Sequence, residues 1–137
     1  MIGLKRGTVK LAPHHPKWVQ IFEKEKDLLI NKLGDLVVDI QHVGSTSIPG
    51  VSAKPIIDIS VGLKSMRDAK GCIKLLEPLG YEWREERSTP DHYLFVRGSE
   101  ESRMHCLHLM EYNCQIWKND LLFRDYLHNH KDKIKKY

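Results

Sequence analysis

The sequence has few cysteines and no long hydrophobic run, and these absences exclude several classes of protein. Its 137 residues include only three cysteines, Cys72, Cys106 and Cys114, and none of them belongs to a Cys-x-x-Cys pair. A disulfide framework and a four-thiolate zinc site are therefore not indicated. No stretch approaches the roughly 20 apolar residues of a membrane span, and residues 1–10 lack the apolar segment of a secretory signal peptide. We therefore expect a cytoplasmic protein with reduced thiols and no membrane partner.

The composition excludes a disordered chain and does not favour a dedicated nucleic-acid binder. Hydrophobic residues make up 41% and charged residues 29% of the chain, as in ordinary globular proteins. The net charge of +4 is mildly basic, which suits a phosphate-bearing small molecule. Lys and Arg form no dense stripe, and the basic residues at 131–136 are more simply interpreted as a solvated helix end. The sequence leaves the oligomeric state open.

Hydrophobic periodicity predicts an α/β (α+β) fold, with one domain spanning residues 1–137. Helices are expected where apolar residues recur at three- or four-residue spacing, at about 16–33, 65–79 and 115–130. Short β-branched or aromatic runs predict strands at 36–41, 56–62, 81–83, 93–97 and 104–110. A Gly-Ser-Glu-Glu-Ser turn between the last two is typical of an antiparallel hairpin. We therefore predict a mixed, partly antiparallel sheet flanked by helices.

The most informative segment is the loop rich in Gly, Ser and Pro at residues 42–54, between the first two strands. Twelve residues separate its Gly44-Ser45 pair from Asp58, which lies within an apolar strand. Because an unpaired carboxylate is costly to bury, Asp58 needs a cation, a hydrogen-bond network or a strand end that reaches solvent. Side chains alternate along a strand, so Asp58 and Ser60 are expected on one face.

This loop and strand have the residue types that phosphate binding requires. Gly44 permits close approach of the backbone, and the amides and hydroxyls of Ser45, Thr46 and Ser47 can bond phosphate oxygens. Asp58 can hold a Mg²⁺ ion that bridges to the same phosphates. On spacing alone, a serine-rich turn followed by a strand with one hydrogen-bonded Asp is an equally good interpretation.

Five segments carry a wider pattern, at residues 9–18, 42–51, 53–59, 103–111 and 122–127. They resemble the GrpB family, which was once classed as an uncharacterised protein family and is placed in the nucleotidyltransferase superfamily. They are distributed over nearly the whole chain, and the loop motif is long enough to be specific. Relatives in the family commonly continue past the position of Tyr137 with another helix.

The resemblance implies a nucleotidyltransferase-like fold that binds a nucleoside triphosphate with Mg²⁺. Relatives in the superfamily use a Gly-Ser turn for the triphosphate and two or three carboxylates for two Mg²⁺ ions. Gly44 and Ser45 correspond to the turn and Asp58 to the first carboxylate, whereas the second carboxylate falls at Ser60, a poor substitute. Either another acid, with Glu111 the best candidate, completes a catalytic site that transfers a nucleotidyl group to a hydroxyl, or the protein is an inactive nucleotide- or phosphate-binding accessory module.

Several cationic side chains are further candidates for phosphate binding. Lys54 offers a point charge and Arg103 a bidentate fork to a phosphate group. Arg103 is equally compatible with an ordinary charge at a strand end. In the last helix, a local or interhelical ion pair is the favoured interpretation of Arg124 and Asp125.

The histidines of the fifth predicted strand are the remaining candidates. His108 is expected next to the strand that carries the carboxylate, within reach of a shared ligand. It shares a face with Cys106, whereas His105 faces the opposite way. Cys106 and His108 resemble a soft-metal pair, which needs a third ligand from His42 or His92 to bind zinc tightly. Histidines hydrogen-bonded to their neighbours are the simpler interpretation.

Overall fold

The chain folds into one mixed sheet of five strands with helices on both faces, in a computed structural model that describes residues 17–44, 47, 56–98 and 103–130. The α-helices are α1 (Lys17–Leu33), α2 (Ala69–Leu76) and α3 (Gln115–Asn129). The strands are β1 (Val37–Val43), β2 (Ile57–Leu63), β3 (Glu82–Trp83), β4 (His92–Gly98) and β5 (Arg103–Glu111). No helix among the described residues has the length and apolar character needed to cross a membrane.

The strand order is β1-β2-β5-β4-β3, and only the central pair, β2 and β5, is parallel. The antiparallel pairing of β4 with β5 confirms the predicted hairpin. β1 continues to Val43, two residues beyond the predicted end, because His42 and Val43 pair with Ile59 and Asp58 of β2. The loop that was predicted to begin at residue 42 therefore begins at Gly44.

The second predicted helix is shorter than its apolar pattern indicates. It is α-helical only over α2, and single 3-10 turns, Met66–Asp68 and Glu77–Leu79, precede and follow it. The Ser65 hydroxyl accepts a hydrogen bond of 3.2 Å from the Arg67 amide, as expected of an N-terminal cap. The turn after α2 contains Pro78, whose nitrogen cannot donate a helical hydrogen bond, so the helix tightens there before it ends.

Alternation of side chains gives the sheet two different faces. On one face, which we call the core face, Ile57, Ile59 and Val61 of β2 are buried in the main hydrophobic cluster with residues of α1 and α2. The opposite face, which we call the α3 face, carries Asp58, Ser60 and Gly62 of the same strand. A Cβ atom at Gly62 would lie 3.2 Å from the Trp117 ring, so the absence of a side chain lets α3 approach the sheet. The α3 face is therefore where polar side chains of the sheet meet a helix.

Candidate functional site

A cleft of about 440 Å³ lies between the α3 face of the sheet and α3 itself. Its apolar lining includes residues of α3, such as Ile116 and Phe123. Its polar lining comes from three strands and the helix, and consists of Asp58, His92, His108, Asp120 and Arg124. A concave surface with a few convergent polar groups is the usual form of a small-molecule site.

The backbone turn at Gly44 forms one end of the cleft. Gly44 has a φ of 75°, a left-handed conformation that glycine adopts without strain. The Ser47 amide donates to the Gly44 carbonyl at 3.1 Å, and the Ser47 hydroxyl donates to the same oxygen at 2.6 Å. Both donors of Ser47 are thus used within the turn, which corrects the prediction that they bond phosphate oxygens. A Cβ atom at residue 44 would lie 2.5 Å from Oδ2 of Asp58. The structure thus places the Asp58 carboxylate directly against the turn, as the sequence predicts.

Asp58, Cys106 and His108 come together because β2 and β5 are parallel neighbours. The register places Cys106 opposite Asp58 and His108 opposite Ser60, so all three potential ligands share the α3 face. His108 Nε2 lies 3.6 Å from Asp58 Oδ1. One potential ligand atom from each of the three side chains lies within 4.8 Å of the other two. The predicted proximity of His108 to Asp58 is therefore observed.

The pKa values of the two cleft histidines shift in opposite directions. Burial alone would lower the pKa of His108, but the Asp58 carboxylate and the Cys106 thiol outweigh burial and raise it from 6.5 to about 10. Burial lowers the pKa of His92, and the neighbouring His108 adds to this effect, whereas Asp120 opposes it. The two histidines thus differ because Asp58 and Cys106 act directly on His108, whereas burial dominates at His92.

The two histidines suggested as partners of Cys106 and His108 have different positions. His42 lies on the core face and stacks on Phe22 of α1, with ring centroids 4.9 Å apart, so it is on the wrong side of the sheet. His92 lies on the α3 face, and its Nε2 is 3.0 Å from Nδ1 of His108. His92 therefore contacts Nδ1 of His108, the ring nitrogen on the other side from Asp58. The third potential ligand, together with Cys106 and His108, is the Asp58 carboxylate instead.

Asp120 is the site residue that sequence reasoning missed. Ser60 is fully buried, and its hydroxyl donates to Oδ2 of Asp120 at 3.3 Å. The Asp120 carboxylate of α3 therefore approaches Ser60, the position of β2 where a second carboxylate was expected and a hydroxyl is present. The helical spacing contained the signal, because Asp120 and Arg124 fall on the same helical face as the buried Trp117 and Leu127.

Arg124 connects α3 to the edge strand β1 beside the cleft. Its Nη1 donates to Oε1 of Gln41 at 3.0 Å and to the His42 carbonyl at 3.1 Å. Its Nε donates to the exposed carboxylate of Asp125 at 3.1 Å, which confirms the predicted local ion pair. Three acceptors thus hold the guanidinium group at the cleft wall. Two of them belong to β1, so the contacts of Arg124 extend beyond a local ion pair.

Glu111 does not complete the site, and this corrects the sequence-based choice of a second acid. It pairs with Leu63 at the far end of the sheet, five residues along β5 from Cys106, or roughly 16 Å away. It also has the opposite strand parity to His108 and is exposed to solvent. Strand alternation therefore removes Glu111 from the cleft, and Asp120 is the acid that approaches Ser60.

Four of the candidate residues are not tested by these contacts. Ser45, Thr46 and Lys54 lie outside the described residues. For Arg103 only the backbone is described, as the first residue of β5. Their roles in phosphate binding remain predictions.

Comparison with known proteins gives a consistent result over nearly the whole chain. A family model described as GrpB protein matches residues 8–137. The glutamate-rich protein GrpB of Alkalihalophilus pseudofirmus is 38% identical over 131 residues, which cover 93% of this chain and 75% of that protein. The UPF0157 protein YqkA of Bacillus subtilis is 33% identical over 132 residues, 96% of this chain but only 38% of that protein. The crystal structure of the conserved protein GrpB from Enterococcus faecalis superimposes with a TM-score of 0.86 at 29% identity, covering 93% of this chain and 78% of that one.

Proposed function

We propose that the cleft of this chain, which belongs to the GrpB protein family, binds a nucleoside triphosphate with Mg²⁺. We further propose that it transfers the nucleotidyl group to a hydroxyl acceptor. In such a reaction the acceptor oxygen attacks the α-phosphorus in line and pyrophosphate leaves. The protein would then be a nucleotidyltransferase-like enzyme of this family.

The observation that carries the proposal is the contact between the Gly44 turn and Asp58. A side chain at residue 44 would lie only 2.5 Å from the Asp58 carboxylate, so the carboxylate occupies the space that the missing side chain leaves. A phosphate bound by the turn and a cation bound by Asp58 would therefore be in direct contact. This is the arrangement that a Mg²⁺-nucleotide complex requires.

The cleft also supplies the donors that Mg²⁺ prefers. Magnesium is bound through oxygen ligands, and both Asp58 and Asp120 line the cleft. Ser60, which bonds Asp120, lies two residues from Asp58 on the same face of β2. The cation, when bound, would neutralise charge that develops on the phosphates. Arg124 adds a guanidinium group at the cleft wall for the same purpose.

A second candidate function is a binding or accessory module of the same family that holds nucleotide without transferring it. Ser60 favours this alternative, because a neutral, fully buried hydroxyl stands where a second carboxylate is expected on the strand. Asp120 reaches this position from another element and has to replace that carboxylate for transfer to occur. Release of pyrophosphate in the presence of hydroxyl acceptors distinguishes the transferase from the module.

Calorimetric titration with each common nucleoside triphosphate, with and without Mg²⁺, tests the proposal. We expect Mg²⁺-dependent binding that Asp58→Asn weakens by about tenfold or more, since one charge of the cation site is lost. The matched control is Asp35→Asn, at an exposed position in the turn between α1 and β1, which should bind like the wild type. Absence of binding at millimolar nucleotide, or equal binding by both variants, would remove the nucleotide from the function.

A further inference from the structure

Asp58 and two neighbouring side chains, Cys106 and His108, provide three different ligand atoms beside the cleft. Asp58 offers a carboxylate oxygen, Cys106 a sulfur and His108 a ring nitrogen, all within 4.8 Å of one another and all half-buried. A cation at their centre lies within about 2.8 Å of each atom, and zinc bond lengths are about 2.0–2.3 Å. Small side-chain rotations would therefore bring all three into bonding distance.

The chemistry of these ligands differs from what magnesium needs. Magnesium binds oxygen ligands, whereas thiolate and imidazole are ligands of zinc and neighbouring transition metals. A zinc site that can accept an exogenous ligand has three protein ligands and a fourth coordination position that is open, here toward the cleft. We propose that Asp58, Cys106 and His108 bind Zn²⁺ or a similar divalent transition metal, and that they do so without nucleotide.

The surroundings of His108 support its use as a ligand. Metal-bound histidines usually hydrogen-bond through the other ring nitrogen, which fixes the orientation of the ring. Here Nδ1 of His108 is 3.0 Å from Nε2 of His92, and Nε2 of His108 faces Asp58. The two imidazole rings are also nearly parallel, at 13°, with centroids 5.1 Å apart. The ring of His108 is therefore already held with Nε2 toward the other two ligands, and metal binding displaces the proton from that nitrogen.

This inference goes beyond the proposed function, although both use Asp58. The two carboxylate oxygens face different neighbours: Oδ1 is 3.6 Å from His108, whereas Oδ2 lies against the Gly44 turn. Cys106 belongs only to the transition-metal site, because magnesium does not use a thiol ligand. Substitution of Cys106 therefore separates the two hypotheses.

The test uses the full chain, freed of metal with a chelator and then titrated with Co²⁺ and Zn²⁺ in the absence of nucleotide. Thiolate ligation of Co²⁺ produces an intense near-ultraviolet absorption band, and calorimetry gives the zinc affinity. We expect one metal per chain with the thiolate band present. Cys106→Ser should abolish the band and weaken zinc binding by at least tenfold, and His108→Gln should weaken zinc binding to a similar extent.

Cys114→Ser is the matched control, since Cys114 is also a free, half-exposed cysteine but lies at the start of α3 and outside the ligand group. It should keep both the band and the wild-type zinc affinity. Absence of a thiolate band in the wild-type protein, or wild-type zinc affinity in Cys106→Ser, would overturn the inference. Cys106→Ser should retain Mg²⁺-dependent nucleotide binding, so failure of the zinc site and failure of the nucleotide proposal give different results.

Discussion

Two groups of polar side chains lie on opposite faces of β5. They differ in how completely their hydrogen-bonding groups are paired with other protein atoms. On the core face, Glu25 accepts hydrogen bonds from the Tyr81 hydroxyl at 2.8 Å and from Nη2 of Arg97 at 2.9 Å. The same Nη2 lies 3.0 Å from Nδ1 of His105. Glu25 is 4% and His105 3% exposed. We call these four residues the closed cluster.

On the α3 face, the group around His108 is less completely paired. We call Asp58, Cys106, His108, His92 and Asp120 the open cluster. The Asp58 side chain is 33% exposed, and its contact with His108 is 3.6 Å, longer than a hydrogen bond. The polar groups of the open cluster therefore face a cleft, whereas those of the closed cluster face one another. We therefore expect loss of a closed-cluster group to reduce stability, and loss of an open-cluster group to reduce ligand binding.

Two histidines three residues apart on β5 show the same difference electrostatically. Burial, together with the adjacent Arg97 cation, lowers the pKa of His105 from 6.5 to about 4, although Glu25 opposes this shift. Burial acts on His108 in the same direction, but the Asp58 and Cys106 groups reverse its effect and raise the pKa. The two signs thus differ because burial and a cation act together on His105, whereas a carboxylate and a thiol outweigh burial at His108.

The largest expected effect on stability is loss of the central carboxylate of the closed cluster. Glu25→Gln keeps the shape of the side chain but leaves the Arg97 guanidinium without its counter-charge, so we expect a loss of about 3–5 kcal/mol. Urea unfolding measures this free energy. Glu23→Gln, at an exposed position of α1, is the control and should change stability by less than about 0.5 kcal/mol. Similar values for the two variants would show that the closed cluster does not stabilise the fold.

The next effect is the pH dependence that His105 confers. The unfolded chain binds a proton at this histidine near pH 6.5, whereas the folded protein binds it only near pH 4. Its contribution is therefore complete above pH 6.5 and is lost as the pH falls, by up to about 3 kcal/mol at pH 4. Urea unfolding of the wild type and of His105→Gln between pH 4 and 7 checks this. The variant should lose less stability on acidification, and identical slopes would contradict the assignment.

A smaller loss is expected from a methyl group at the edge of the open cluster. Gly44→Ala combines a left-handed backbone with a clash against the Asp58 carboxylate, so we expect a loss of about 2 kcal/mol. Gly34→Ala has a similar left-handed φ of 54° but no neighbouring atom within 4 Å, and should cost only about 1 kcal/mol. Urea unfolding of both variants isolates the clash. Equal losses would mean that the carboxylate moves away from the turn without cost.

Local patterns allowed most of this architecture to be predicted from the sequence. Strand alternation depends only on neighbouring residues, so the sequence correctly placed His108 and His105 on opposite faces of one strand. The expectation of a single shared pocket correctly placed His108 near Asp58. The same rule, applied to Glu111, excludes it from that face, and the error came from choosing an acid by its position at a strand end. The helix and strand boundaries were correct to within a few residues, except for the shorter α2.

The parts that could not be predicted depend on contacts between distant segments. The partners Glu25 and Arg97 are 72 residues apart, and Ser60 and Asp120 are 60 residues apart. No local period links such pairs, since each depends on how a helix is placed over the sheet. The closed cluster was therefore not foreseen, and the second acid of the cleft was assigned to the wrong element.

The smallest expected effect on stability is that of Asp58→Asn, the substitution expected to weaken ligand binding most. Asp58→Asn is the same carboxylate-to-amide replacement as Glu25→Gln, made on the other face of the sheet. Asp58 is one cause of the raised pKa of His108, so its loss has a cost, but Cys106 also raises that pKa and solvent screens a carboxylate that is one-third exposed. We therefore expect a loss of only about 1 kcal/mol in the absence of ligand. Urea unfolding of metal-free protein at pH 7 provides the measurement, with Glu25→Gln as the matched comparison. A loss of 3 kcal/mol or more would show that Asp58 is a structural residue like Glu25, and that the two faces of β5 do not divide stability from binding.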